Sequence, residues 1–255
     1  MRNVWIICRK ELGSYFASPV AYILLIMFGL IFGFFFWNAL GAFVFESIQS
    51  QMSGRSFPMN VNEWIIRPLL SNVGVIGLFM IPLITMRLFA EEKRTGTIEL
   101  LATSPIRDTE IIVGKWLAAL ILYSSLLLFT ALNFAFLFRY GHPDWKPLLV
   151  GYLGILLQAG ALLAIGTFIS TLTKNQIIAG AATFAVCLLL YVFGWVAGFD
   201  TSTWARVLSY TSVAVHNESF SKGVIDSKDA IFYLSVIFLG LFLTARSLES
   251  LRWRS

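Results

Sequence analysis

Six long apolar runs separated by short polar segments organise this chain, at about Val20 to Phe43, Ile65 to Met86, Trp116 to Phe138, Leu148 to Leu172, Gln176 to Ala197 and Ala230 to Ala245. A helix needs roughly 20 apolar residues to cross a hydrocarbon core, where its backbone must bond internally because lipid offers no partners. The pattern predicts an all-α transmembrane fold: a single domain, residues 1–255, with six membrane-spanning helices. An even number of crossings puts both termini on one side.

Before the first run, Val4, Trp5, Cys8, Leu12, Tyr15 and Phe16 recur at helical spacing, while Arg9, Lys10 and Glu11 fall largely elsewhere around the helix. This predicts an amphipathic elbow helix over residues 1–18, lying on the inner leaflet. Pro19 biases Ser18 away from helix and places a turn between the elbow and the first span. The run after it is too long for a signal peptide, and no small-residue cleavage site follows. In the long outer loop, residues 198–229, the spacing of Trp204, Val207, Leu208, Thr211 and Val215 predicts a short helix dipping back into the outer leaflet. Asp226 or Ser227 is expected to cap the last span, with Gly223 relaxing the turn before it.

Composition strengthens the membrane reading. With 58% hydrophobic and 13% charged residues, a soluble domain of this size would have no way to hide its apolar surface. The 23 Phe and 8 Trp suit lipid-facing helices and aromatic belts. If the termini are cytoplasmic, the inner segments hold 12 of the 19 basic residues and the outer ones 7, with 7 acids on each side. The positive-inside bias therefore favours cytoplasmic termini. The whole net charge of +5 (12 − 7 inside, 7 − 7 outside) reads as a topology signal and a contact with anionic membrane lipid, not as a nucleic-acid patch. Two cysteines, Cys8 and Cys187, make no disulfide framework, and neither lies near a histidine or another cysteine that would build a metal site.

Catalytic chemistry has little support. His142 and His216 lie in different outer loops, and the chain has no H-E-x-x-H, no G-x-S-x-G and no carboxylate pair within a span. Gly114-Lys115 resembles a phosphate-binding loop only superficially: Trp116 replaces the required Ser or Thr, and Thr109 stands where the earlier Gly belongs. The span centres lack Asp, Glu, Lys and Arg, which weakens an ion-coupled carrier. His216 is expected to be a hydrogen-bonded interfacial histidine. Asn38, Asn72, Asn133 and Gln158 lie in or near spans, where an unpaired amide is costly; they are expected to bond neighbouring helices, with a transported molecule as the alternative partner. Pro82 predicts a flexible point or a static kink in the second span. Gly29 with Gly33, and Gly194 with Gly198, form G-x-x-x-G pairs that allow close helix packing, within one subunit or at a dimer seam.

The segment from Arg87 to Lys115, between spans two and three, departs most from its hydrophobic surroundings. Gly96 loosens the chain, Thr97 can cap a short helix, Glu99 suits that helix's N-terminal dipole, and Ser104-Pro105 stops it. Asp108, followed by Thr109 and Glu110, offers a second cap for the helix that becomes span three. The pattern alone allows a solvated turn, a helix lying on lipid, or a short helix that fits a partner's groove and passes its motion to both attached spans.

The stretch Phe89-Ala-Glu-Glu-Lys-Arg-Thr-Gly-Thr-Ile-Glu-Leu-Leu resembles the signature of ABC type-2 transporter permeases. It is most similar to the subgroup containing the gliding-motility-associated permease and the permease of nitrous oxide reductase maturation. Leu208-Ser-Tyr-Thr-Ser and the segment from His216 to Asp229 resemble that subgroup too. The resemblance implies a permease subunit of an exporter in the bacterial inner membrane, paired with a second permease copy or a homologous permease. It implies a separate cytoplasmic ABC ATPase that binds ATP and Mg, no cofactor in this chain, and room for a periplasmic accessory subunit as a further partner. Thr97 to Thr103 would match the family's coupling helix, with Glu91, Glu92, Lys93 and Arg94 pairing with charges on the ATPase. Ile98, Leu100 and Leu101 would fill its groove, beside Thr97 and Glu99. The alternatives are an ATPase-driven anchor or mechanotransmitter that acts on extracytoplasmic partners without moving cargo, and, more weakly, a secondary carrier or channel.

Overall fold

The structure, a computed structural model, describes residues 2–53, 60–98, 106–141, 143–199 and 202–252. Its helices are α1 (Arg2–Ala17), α2 (Pro19–Met52), α3 (Arg67–Thr85), a short α4 (Ala90–Thr95), α5 (Asp108–Tyr140), α6 (Trp145–Ser170), α7 (Gln176–Phe199), α8 (Thr203–Tyr210), α9 (Val213–Ser221) and α10 (Ser227–Arg252). No strand occurs among the described residues. Six helical stretches, containing α2, α3, α5, α6, α7 and α10, are long and apolar enough to cross a membrane. Several outrun the apolar runs that predicted them: α2 continues past Phe43 to Met52, and α5 begins at Asp108 rather than near Trp116. Helical hydrogen bonding persists after the hydrophobic stretch ends, so hydropathy marks the lipid-compatible part of a helix and not its termini.

Local turn chemistry follows the sequence closely. Ser18 is extended (φ −94°, ψ 147°) and accepts the Val20 N–H at 3.4 Å, with Pro19 in the first turn of α2. Gly223 takes the left-handed φ of 79° before α10, and the Asp226 carboxylate accepts the Lys228 N–H at 3.0 Å. The loop after α7 holds two short helices, in keeping with the short outer helices expected between spans five and six. Ser202 and Ser212 each cap one, accepting from Ala205 N–H (3.3 Å) and Ala214 N–H (3.2 Å). The break at Ser212 splits the expected apolar stripe: Trp204 and Val207 point outward on α8, while Val213, His216 and Phe220 bury α9 in the bundle.

The amphipathic stripe of α1 is also divided. Cys8 and Tyr15 are buried together with Ile7, whereas Trp5 and Phe16 stay exposed. α1 packs along the start of α5. Gly114 permits this approach, since a Cβ there would stand 2.9 Å from the Ile7 Cβ and 3.0 Å from the Val4 carbonyl oxygen.

α6 is the central helix and packs against α3, α5, α7, α9 and α10. Its buried run Ala159–Ala164 is rich in small residues, which lets neighbouring backbones approach; in lipid, helix association rests on such van der Waals contact. α10 comes closest at Gly240, where a Cβ would meet the Ala164 carbonyl carbon at 2.8 Å. Within this chain the Gly29 and Gly33 pair makes no comparably close helix contact. Gly33 faces open space, Gly29 meets only Phe129 at 3.6 Å, Gly194 admits the Ser212 hydroxyl of the following loop, and Gly198 lies within α7. On the outside, α2 and α10 expose Leu30, Trp37 and Phe238, a surface that suits lipid or another subunit.

Candidate functional site

The short helix α4 follows α3 through a turn, packs against α7 and is bonded by side chains of α5 and α6, with α1 joined through the same α5 cation. α3 contains Pro82 and ends three residues later at Thr85, whose hydroxyl donates back to the Ile81 carbonyl at 3.0 Å. The chain then turns into α4, whose first amides have no intrahelical acceptor. Ser170, the last residue of α6, supplies one: its hydroxyl oxygen accepts from Phe89 N–H (3.0 Å) and Ala90 N–H (3.1 Å). Lys93 of α4 donates to the Thr171 carbonyl, and the Thr171 hydroxyl bonds Ser247 of α10 at 2.8 Å. Gly96, in the left-handed conformation (φ 75°), closes α4.

Lys115 of α5 holds the other side. Its side chain is 2% exposed, and its ammonium pairs with Glu11 of α1 at 2.9 Å and with Glu92 of α4 at 2.8 Å. It also lies 5.2 Å from the centre of the Phe89 ring. A cation this buried is tolerated only when paired, and here one ammonium joins three helices. Tyr15 of α1 adds a further tie, donating to the Ile84 carbonyl at 2.7 Å, and the Arg87 guanidinium lies 6.0 Å from the centre of its ring. Burial raises the Glu92 carboxyl above its ordinary value, against the opposing pull of Lys115. Burial, helped by Lys174, pushes the Lys93 ammonium down. Between α1, α4 and α5 lies a cleft of about 470 Å³, lined by Lys10, Glu11, Arg87, Glu91, Glu92 and Lys115 and reaching Thr97.

Most of the 91–94 charges have partners within the chain. Glu91 pairs with Arg87 at 3.3 Å, Glu92 with Lys115, and Lys93 with a backbone carbonyl, so three of the four are engaged inside the chain. Arg94 is exposed and has no ion-pair partner among the described residues; it lines a second cleft with Lys174 and Gln176. Thr97 is exposed and Ile98 half-buried, whereas Glu99, Leu100 and Leu101 lie outside the described residues. Of the cap expected from Asp108, Thr109 and Glu110, Glu110 takes part, and the N-cap position itself falls one residue earlier, on Arg107. Arg107 is extended (ψ 139°), and the Glu110 carboxylate accepts its N–H at 3.3 Å together with the Asn3 side-chain amide at 3.1 Å. A carboxylate in a first helical turn is also favoured by the dipole.

The polar residues of the spans behave differently from one another. Asn38 and Asn133 bond carbonyls of their own helices, Phe34 (2.8 Å) and Phe129 (3.0 Å), rather than neighbouring ones. Asn72 is half-buried, and Gln158 is buried with its Oε1 unpartnered. His216 is fully engaged: Nδ1 lies 2.7 Å from Asp229, Nε2 lies 2.8 Å from the Tyr210 carbonyl, and the ring stacks on Phe232 at 3.9 Å. Among the described residues no cluster of His, Cys, Asp or Glu is arranged to hold a metal.

The residue that sequence reasoning overlooked is Lys115. Its signal was a lone cation at the apolar threshold of span three, flanked by Gly114 and Trp116, where a charge requires a partner.

A family model described as ABC-2 family transporter protein matches residues 5–214, from α1 into α9. Comparison with curated proteins found no match.

Proposed function

The chain belongs to the ABC-2 family of transporter proteins, and on that premise we propose that it is the permease of an exporter driven from the α4 region by a separate ATPase. The family makes it a membrane permease subunit that works with an ABC ATPase and has no ATPase of its own. The finer reading places both termini and α4 on the cytoplasmic side of a bacterial inner membrane, with a second permease subunit, identical or homologous, completing the pathway. The positive-inside bias supports that orientation.

The observation that carries the coupling role is the clamping of α4. Ser170 joins it to α6, Lys115 joins it to α1 and α5, and a short turn joins it to α3. A push on its exposed side would therefore move these helices together, because interfaces of this kind shift as rigid blocks. Arg94 and Thr97 present that side to a partner. Glu91, Glu92 and Lys93 serve by holding the block rigid.

The test is coexpression with its ABC ATPase partner. Arg94→Glu and Thr97→Asp should weaken copurification at least severalfold while leaving thermal unfolding of the permease unchanged. Undiminished copurification of both variants, or labelling of Thr97→Cys only from outside the cell, would contradict the proposal. Cys8 and Cys187 are buried, so the background in such labelling is low.

A further inference from the structure

Away from the charged cleft, two buried side-chain amides face one small cavity. Gln158 of α6 is 3% exposed and Asn217 of α9 is 6% exposed, and neither Gln158 Oε1 nor Asn217 Oδ1 has a hydrogen-bond partner in the chain. The cavity, about 60 Å³, lies where α9 meets α3, α6 and α7, and Ser71 and Ser221 add hydroxyls to its wall. Gly74 lies beside the Gln158 end, where a Cβ would stand in ordinary contact with the amide at 3.4 Å. Gln158 and Asn217, whose Oδ1 rests against Gly154, both border this space without a hydrogen-bond partner for their amide oxygens, and buried polar groups are nearly always hydrogen-bonded.

The wall defines the chemistry of that partner. Both amides and the Ser71 hydroxyl are neutral and can donate as well as accept, while the Ser221 hydroxyl, whose hydrogen goes to the Asn217 backbone carbonyl at 3.0 Å, can still accept. The acid at the rim, Glu218, is already compensated by Arg67 at 3.6 Å and Lys222 at 3.2 Å. An ion would find no free counter-charge inside, and an apolar group would leave both amides stranded. The volume suits a few non-hydrogen atoms, given that a water molecule occupies about 30 Å³ in the liquid.

We propose that this cavity binds one small uncharged group that both donates and accepts hydrogen bonds: a hydroxyl or carboxamide at the end of a transported molecule, or water in its place. Its part in transport rests on the permease reading above, whereas binding itself does not.

The experiment measures thermal unfolding of the full-length chain in nanodiscs for Gln158→Met, Asn217→Leu and the double variant. Each single substitution should lower the melting temperature by about 2–4 °C, and the double should fall no further than the worse single, because both amides hold the same group. Higher melting temperatures, which bare amides replaced by apolar isosteres would give, or fully additive losses would overturn the proposal. Asn217 packs against Gly154, so Asn217→Ala is run as a second variant free of added bulk and must show the same non-additivity.

Two further measurements separate the sources. A small-molecule adduct seen by native mass spectrometry in the wild type and absent from the double variant identifies a cell-derived molecule. Without an adduct, hydroxyl-radical labelling of Tyr191, which lines the cavity, should be severalfold stronger in the wild type, identifying water. No adduct together with equal labelling would also overturn the site. Independence from any ATPase would end the permease reading and leave these outcomes untouched.

Discussion

Replacing Lys115 with methionine removes the ammonium at the centre of the α1–α4–α5 junction while keeping most of the side-chain volume. Glu11 and Glu92, whose side chains are 15% and 14% exposed, then face each other across the space the cation occupied. Removing one partner of a buried ion pair costs about 3–5 kcal/mol, and the residual exposure of both acids favours the lower end, about 3 kcal/mol. At about 2–4 °C per kcal/mol for a chain of this size, melting in nanodiscs should fall by about 6–12 °C. The loss should depend on pH with a definite sign. Burial already holds the Glu92 carboxyl above its ordinary value of 4.5, so folding favours the protonated acid, and this group's contribution to stability declines as pH rises from there towards the folded value. Lys115 opposes that shift; without it the folded value climbs further and the decline extends to higher pH. The Lys115→Met deficit should therefore shrink on acidification from neutral pH towards pH 5. Adding Glu11→Gln and Glu92→Gln should restore at least half of the loss, because two amides can bond where two carboxylates repel. A Lys115→Met protein melting within about 2 °C of the wild type at neutral pH would refute the idea that this triad holds the three helices together.

Ser170→Ala should loosen the start of α4, because the Phe89 and Ala90 amides lose their shared acceptor. A lost cap costs about 1–2 kcal/mol, so exchange of those two amides should accelerate about tenfold; unchanged exchange would show that Ser170 does not anchor the segment. His216→Phe should keep the ring stack on Phe232 but strip Asp229 of its 2.7 Å partner, costing about 2 kcal/mol. Adding Asp229→Leu should recover part of that loss in a thermal melt, and a single variant as stable as the wild type would show that the pair does not lock α9 to α10.

The number of spans and their approximate places were legible in the sequence, because a segment that sits in hydrocarbon must be almost wholly apolar whatever it packs against. Ser18 with Pro19, and Gly223 with Asp226, were legible for a similar reason: caps and turns act over a few residues, so local identity decides them. The partners of Lys115 were not, since Glu11 lies 104 residues away and the pairing exists only because three helices meet. The division of the α1 stripe between Cys8 and Trp5, the open space at Gly33 against the tight contact at Gly240, and the shared cavity of Gln158 and Asn217 were hidden in the same way. Sequence pattern reports what each segment gains from its own backbone bonds and from leaving water. Which apolar faces meet one another, and which polar atoms are brought within reach, depends on the packing of helices distant in the chain, and only the tertiary structure decides it.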